Sequence, residues 1–465
     1  MEPSSSVDAL VVEDLGQQKL PARYLTALLR RDGMRARLVD LNDGADAIAA
    51  LARRTMPRLV ISSILFADRV DEHHALMTAL RAACPRAHLT LAGPLPAFAA
   101  EELRAACPAV DSVQSTEHVI AKRAVRDEAI PDQLGECFTS LAMTDLDALP
   151  FPARDDGIAS FLGHGFATIE ASRGCYHACT FCLPRAFHRA QGAPYRLRGI
   201  PHLVDEIEVL YRQGARLFLF DDEQFLPPQP ARAERIAAFA DELAHRDLHI
   251  AFTLKCRADD VDAALFRRLR DIGLLRVYIG IESGDRAALD LYNKRVTPQQ
   301  NADALASLDA LGIVADFRAL VFHPWSTLET LRAEIAFLQD VLPNCSTLFD
   351  FREVEIYPGT PLANRLRAEG SGAGSAWQIQ YALADARAEW ARRACRRTFS
   401  QSDTYRNAQD ALTREWYALL LARRFRPAVA DEERARELRE SAMRRNSETL
   451  KIGEEILESA GGQEQ

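Results

Sequence analysis

No stretch of eighteen apolar residues occurs in the 465-residue sequence, so no membrane-spanning helix is expected. The start, Met1-Glu2-Pro3-Ser4-Ser5-Ser6, lacks the basic and then apolar regions of a signal peptide, and a cytoplasmic protein is expected. Positive charge is in short supply. There are 57 basic against 66 acidic side chains, a formal net charge of -9, which argues against nucleic acid as a partner. Lysine is scarcer still, standing only at 19, 122, 255, 294 and 451. Nine cysteines in so long a chain do not make a disulfide framework, and six of them, Cys84, Cys107, Cys137, Cys256, Cys345 and Cys395, show no metal-ligand spacing. No auxiliary metal cluster is expected from those six.

The other three cysteines stand together in Ser172-Arg173-Gly174-Cys175-Tyr176-His177-Ala178-Cys179-Thr180-Phe181-Cys182. Three thiolates converging from one short loop suit an iron–sulfur cubane, and the lack of a fourth nearby cysteine leaves one iron open. A zinc site completed by His177 or His188, or three unrelated buried thiols, are the plainer alternatives. The CxxxCxxC spacing, with an aromatic residue before the last cysteine, resembles the cluster loop of the radical S-adenosylmethionine (SAM) superfamily. The resemblance implies that Cys175, Cys179 and Cys182 hold a [4Fe–4S] cluster whose open iron takes SAM. It also implies that Phe181 lies near the adenine, and that a donor such as flavodoxin or ferredoxin drives release of a 5′-deoxyadenosyl radical. On burial grounds Phe181 is as readily a core residue.

From Asp8 to about Glu117 short apolar runs alternate with amphipathic segments, as in a doubly wound α/β domain. Strands are expected at 9–12, 36–39, 59–62 and 89–92, with helices near 20–31, 45–55, 69–83 and 97–106. The order resembles the cobalamin-binding domain that many radical SAM enzymes carry, and a domain of that kind is assigned to residues 1–125. Its signature is poorly kept. Glu13-Asp14-Leu15-Gly16-Gln17-Gln18 offers no histidine to ligate cobalt, and Ala92-Gly93-Pro94-Leu95-Pro96 replaces a Gly-Gly pair that would let the corrin's nucleotide tail approach. Gln114-Ser115-Thr116-Glu117 replaces a later acidic glycine turn. The favoured expectation is a domain that keeps the fold without cobalamin, with bound cobalamin as the alternative.

Residues 126–164 read as a linker, and its Leu149-Pro150-Phe151-Pro152-Ala153-Arg154 is similar to a turn ahead of the core in cobalamin-type members. Residues 165–365 resemble the partial (β/α)6 barrel of the radical SAM core, with strands near 167–171, 216–221, 250–254, 276–281, 314–321 and 350–356. The remainder, 366–465, is helical in period, and its Trp377, Trp390 and Trp416 read as packing residues.

Barrel sites gather at the carboxyl ends of the strands. After the second strand, Phe220-Asp221-Asp222-Glu223 resembles the Asp-Asp variant of the family's Gly-Gly-Glu. This implies a carboxylate, Asp221 or Asp222, for the methionyl ammonium of SAM; three consecutive acids are otherwise a solvated turn. Strand alternation puts Thr253, Lys255 and Arg257 on one face. The family implies a basic partner for the SAM carboxylate at Arg257, and Lys255 is either an active-site acid or anchor or an exposed strand-end lysine. Tyr278-Ile279-Gly280-Ile281-Glu282-Ser283-Gly284 is similar to the family's Gly-Ile-Glu-Ser-Gly, which implies Glu282 on the ribose hydroxyls, Ser283 nearby and Tyr278 inside. Glu353, Glu355 and Tyr357 alternate on the sixth strand, either as ion-pair scaffolding with Arg318 and Arg352 or as ligands of a polar substrate.

A cobalamin-type architecture without cobalamin, with an acidic pocket, resembles the radical SAM diol dehydratase of aminoglycoside (apramycin) biosynthesis. That resemblance implies hydrogen abstraction from a paromamine-like amino sugar, loss of the neighbouring hydroxyl, and a separate NADPH-dependent reductase downstream. Such chemistry needs an acid beside the leaving hydroxyl and a base beside the carbinol; Glu223, Lys255, Tyr278 and Glu353 are the candidates. The alternatives are a cobalamin-dependent C-methyltransferase acting on a natural-product intermediate and a noncatalytic scaffold that uses the cluster structurally.

Overall fold

In the strands Ala9–Glu13 (β1) and Leu59–Ser63 (β3) every side chain is buried, which is what helices on both faces of a parallel sheet require. With Ala36–Asp40 (β2), His88–Ala92 (β4) and Ser112–Gln114 (β5) they form one all-parallel sheet in the order β2-β1-β3-β4-β5, a doubly wound topology. The helices Pro21–Arg31, Ala45–Thr55, Val70–Ala83 and Ala100–Ala106 lie where the apolar period places them. The three-residue β5 is too short for that period to reveal. This computed structural model describes residues 7–17, 19–65, 67–114, 145–344, 348–349, 351–429 and 431–462. Cys137, Cys345, Lys122, the turn residues Ser115-Thr116-Glu117, and the linker up to residue 144 therefore lie outside the described residues.

A second sheet begins with an antiparallel pair, Ala159–Phe161 (β6) and His164–Ile169 (β7). A short hairpin, Ser172–Gly174 (β8) with Tyr195–Leu197 (β9), carries the cysteine loop. Four parallel strands complete the sheet: Ala215–Phe220 (β10), Ala251–Arg257 (β11), Leu274–Gly280 (β12) and Val314–Asp316 (β13), in the order β13-β12-β11-β10-β7-β6. On β12 buried Val277 and Ile279 alternate with half-buried Arg276, Tyr278 and Gly280, so the second set faces away from the helical layer. The expected fifth strand, 314–321, is divided. Its second half, Ala319–Phe322 (β14), pairs instead with Phe351–Glu353 (β15). The ladder with β12 stops at Tyr278 and Asp316, and beyond it Glu282, whose φ of 62° leaves the β region, keeps a single bridge to Ala319.

After the barrel, the helix Asp403–Phe425 closes the end of the sheet opposite the cysteines, while Ala386–Cys395 and Glu432–Gly461 pack on each other and on the helix Leu328–Val341. Leu420, Leu421 and Trp416 pack on Leu217, Ala251, Leu275 and Val314, while Arg424 donates to the carbonyls of Ile250 (2.8 Å) and Ile272 (3.2 Å) just ahead of β11 and β12. Trp390 joins the main core and Trp377 packs edge-on against His74 at 6.1 Å, so all three tryptophans are packing groups.

The Pro-Phe-Pro-Ala-Arg turn fastens the first domain to the barrel. Arg23, fully buried, donates both terminal nitrogens to Asp156 at 2.7 Å and one to the Ala153 carbonyl at 3.2 Å. Arg30 holds Asp155 in the same bidentate way at the surface, and Arg154 donates to the Thr168 carbonyl (2.6 Å) and to Glu206 (3.2 Å). Domain orientation is thus set by charge-assisted pairs of fixed fork geometry.

Candidate functional site

The cysteine loop is held from three sides. Gly174, with φ 84°, presents its α-carbon so close to Pro194 that a Cβ would lie 2.3 Å from the Pro194 carbonyl oxygen, which only glycine permits. Thr180 donates to Tyr292 and Leu291, Asn293 donates to the Ala178 carbonyl at 2.8 Å, and Leu362 donates to the Thr180 carbonyl at 3.0 Å. Cys175, Cys179 and Cys182 are all half-buried and free. Burial pushes the Cys175 thiol up to about 11 and the Cys182 thiol up to about 12, and neighbouring thiols add to the shift. Such thiols stay protonated until a metal charge arrives to stabilise the thiolates, as cluster ligands require. No three described His, Cys, Asp or Glu side chains converge tightly enough for a single metal ion. A cubane would take one of these thiolates on each of three irons.

Facing the loop stand the three acids after β10, and each has a different environment. Asp222 is fully buried, with its oxygens taken up by the Ala171 N–H (3.1 and 3.2 Å) and the Ser172 hydroxyl (2.6 Å). Burial pushes its carboxyl up to about 7. For Glu223 burial also opposes the charge. It is outweighed by His188 (3.4 Å), by Lys255 and by the Gly174 N–H (2.9 Å), which hold the carboxyl down at about 2. Asp221 lies between two lysines, Lys255 at 2.6 Å and Lys19 of the first domain at 3.8 Å. Lys255 keeps its proton: its burial works against the charge, but Asp221, Glu223 and Asp222 raise its pKa above the ordinary value.

Farther along the rim, Glu282 meets the ammonium of Lys294 at 3.1 Å, and Lys294 itself is 3% exposed. Ser283 is turned away from the loop and donates to Glu334 at 2.7 Å. The same carboxylate accepts the backbone N–H of Gly284 (2.9 Å) and of Asp285 (3.0 Å). Glu334 thereby fixes the turn after left-handed Glu282. Arg257 donates to Asp259 and to the Lys294 carbonyl and points a terminal nitrogen at Cys179 Sγ, 3.6 Å away. Phe181 packs edge-on against Tyr292 at 5.2 Å, and Tyr278 lies beneath the Arg318 guanidinium at 6.0 Å. Glu353 meets Arg392 at 2.6 Å and Arg396 at 3.9 Å. Those cations come from the region after the barrel, which strand alternation had no means of bringing to it.

A cavity of about 180 Å³, open to solvent at its mouth, lies between the two sheets. Leu20, Leu65 and Pro94 line it from the loops beyond the first sheet, and Glu170, His188, Asp221, Glu223 and Lys255 from the barrel. Asp221, Glu223 and Lys255 are thus brought together, whereas Tyr278 and Glu353 do not line this cavity. Glu334 escaped the sequence reading, His188 entered it only as a possible zinc ligand, and Lys294 only as one of the five lysines.

Because burial raises the Glu334 carboxyl from 4.5 to about 7, the native state keeps a proton that the unfolded chain has lost. Its contribution is full below pH 4.5 and is lost as pH rises through 7. The stability advantage of the wild type over Glu334→Gln should therefore shrink by about 3 kcal/mol at most between pH 4.5 and 8. Denaturant unfolding of both proteins across that range checks it.

Residues 169–334 match the sequence model of the radical SAM superfamily, and residues 14–124 match that of the B12 binding domain. The anaerobic magnesium-protoporphyrin IX monomethyl ester cyclase of Rubrivivax gelatinosus is 32% identical over 176 residues, 37% of this chain and 30% of the cyclase. The chain spans about a third of the length of the curated cyclases it matches. OxsB, a cobalamin-dependent SAM radical enzyme solved with aqua-cobalamin, superposes with a TM-score of 0.65 at 16% identity, over 98% of this chain and 80% of its own. TsrM of Kitasatospora setae, a radical SAM methyltransferase solved with cobalamin and a [4Fe–4S] cluster, gives 0.58 at 17% identity, over 80% and 76%. At such identities these two likenesses speak for the fold.

The match at 14–124 shows a B12 binding domain there and weighs against the expectation of a domain without cobalamin. Glu13, beside the position where a histidine was sought, is buried, accepting from the Ala22 N–H and the Ser63 hydroxyl. Gly93 packs against the first sheet's own backbone, since a Cβ there would lie 2.2 Å from the Ile64 carbonyl oxygen, and Pro94 lines the cavity. The chain thus joins a B12-binding domain to a radical SAM domain, in the fold of the cobalamin-dependent radical SAM enzymes.

Proposed function

We propose that the protein is a cobalamin-dependent radical SAM methyltransferase acting on a small polar substrate. The observation that carries this reading is the cavity walled by both domains: its far side is made by the loops where ligands of a doubly wound sheet bind, and its near side by the barrel rim beside the three cysteines. Leu20, Pro21, Leu65 and Pro94 offer an apolar wall for a corrin face, and Cys175, Cys179 and Cys182 would hold the cluster. When bound, these groups supply methyl carriage and one-electron cleavage of SAM. The chain's own residues bind and orient. Glu223, ionised throughout the working pH range, accepts from cationic or hydroxyl groups, and Lys255, charged beside Asp221, anchors rather than abstracts a proton. TsrM, which shares the fold, is itself a methyltransferase. Diol dehydration of an amino sugar drew on an absence of cobalamin and on an acidic pocket, and the acids that line the cavity serve a polar substrate of either reaction.

The test is anaerobic incubation with SAM and a reductant, with and without added cobalamin. Expected are cobalamin absorbance that survives gel filtration and release of S-adenosylhomocysteine that depends on cobalamin. Turnover without cobalamin, giving 5′-deoxyadenosine and no S-adenosylhomocysteine, would return the dehydratase reading.

A further inference from the structure

The guanidinium of Arg257 is fixed on every edge. It ends β11 at 6% exposure; its Nε donates to Asp259 at 2.8 Å, one terminal nitrogen donates to the Lys294 carbonyl, and the other lies 3.6 Å from Cys179 Sγ. A rigid planar fork with two edges tied has no freedom to turn its third, so the donor aimed at the sulfur is held there by the other contacts. Asp259 stands two residues on from Arg257, and the Lys294 carbonyl is a fixed backbone group beside a side chain that is itself buried. No part of this arrangement leaves the guanidinium free to pair with the carboxylate of SAM, the role its position on the strand suggested.

Hydrogen bonds to cluster sulfurs and nearby charge are among the properties that set the potential of an iron–sulfur centre. We propose that Arg257 sets the reduction potential of the cluster by donating to Cys179 Sγ, making the one-electron-reduced state easier to reach. One electron enters the cluster from an external one-electron carrier and no proton moves, because the guanidinium stays protonated throughout. The added negative charge is stabilised by a cation already in place, so the site does not reorganise when the electron arrives. The inference rests on the cluster assignment and not on methyl transfer.

The test is an anaerobic redox titration of the reconstituted holoenzyme followed by electron paramagnetic resonance, on the wild type, Arg257→Gln and Arg257→Lys, with iron content and SAM affinity measured alongside. The Gln variant should be at least tenfold harder to reduce at a fixed potential, a midpoint lower by 59 mV for a one-electron couple. The Lys variant, which keeps the charge and loses the fork, should fall between, and SAM should bind all three within twofold. Equal midpoints overturn the proposal; equal midpoints with weakened SAM binding return Arg257 to the SAM carboxylate. If the Gln variant takes up no iron, the Lys variant decides, and a wild-type midpoint there overturns the proposal. A wild type that takes up no cluster defeats the cluster assignment and this inference with it, whereas absence of cobalamin dependence defeats only the methyltransferase reading.

Discussion

Alanine in place of Cys175, Cys179 or Cys182 should abolish the iron–sulfur absorbance and all SAM cleavage. Each thiol is one of only three protein ligands, and among the described residues no other cysteine shares the loop. Cys256 and Cys395 are buried elsewhere in the core, so the same change there should leave the iron content as it was, apart from a modest loss of packing. Iron analysis and the visible spectrum after anaerobic reconstitution check both halves. A full [4Fe–4S] complement in any of the three loop variants would remove the cluster assignment.

The second large effect is expected at the domain seam. Asp156→Ala leaves the fully buried Arg23 guanidinium without its carboxylate; because Asp156 itself is about a third exposed, the expected cost is about 2 kcal/mol, short of that of a wholly buried pair. Asp155→Ala removes an equally well-formed bidentate partner from Arg30, but both members of that pair are about a third exposed, and the expected cost is below about 1 kcal/mol. Two pairs of the same geometry, from adjacent residues, should therefore differ clearly in cost. Urea unfolding of the two variants, with limited proteolysis of the 145–160 stretch, provides the comparison. Equal losses would mean that the seam is held by apolar packing and not by Arg23.

Much of this was legible in the chain because the two periods are strong where they matter. β1 and β3 are buried on both faces and read as unbroken apolar runs, and the cysteine loop is local, so spacing alone assembled its three thiols. The acids after β10 were equally local, and their proximity to the cluster loop followed from barrel topology. What spacing could not supply was the division of labour among them. Asp222 is occupied by Ser172 and Ala171, fifty residues away, while Glu223 owes its low pKa to His188, which read as a zinc ligand or as nothing. Ser283 carries a familiar motif position, yet its hydroxyl turns to Glu334 on a later helix. The fifth strand read as one and is two: its ladder with β12 stops at Asp316, and its second half pairs with β15, a segment about thirty residues on that no local pattern could bring to it. The cobalamin expectation rested on a motif scored by glycine pairs, whereas the whole run of residues 14–124 matches a B12 binding domain, and Gly93 is required by its contact with the Ile64 backbone.

The closure of the barrel floor by Asp403–Phe425 has a bearing on the order in which the chain matures. The first sheet needs nothing beyond residue 114 to complete its strands, so its pairing becomes available early in synthesis. The floor, in contrast, depends on Arg424 reaching Ile250 and Ile272, contacts separated by 174 and 152 residues, and on a final helix that packs against Leu328–Val341. Contacts of such separation form late and slow folding. The B12 binding domain is thus able to pair its strands before the half that holds the cysteines is complete, and the barrel keeps its underside open until the last helices leave the ribosome.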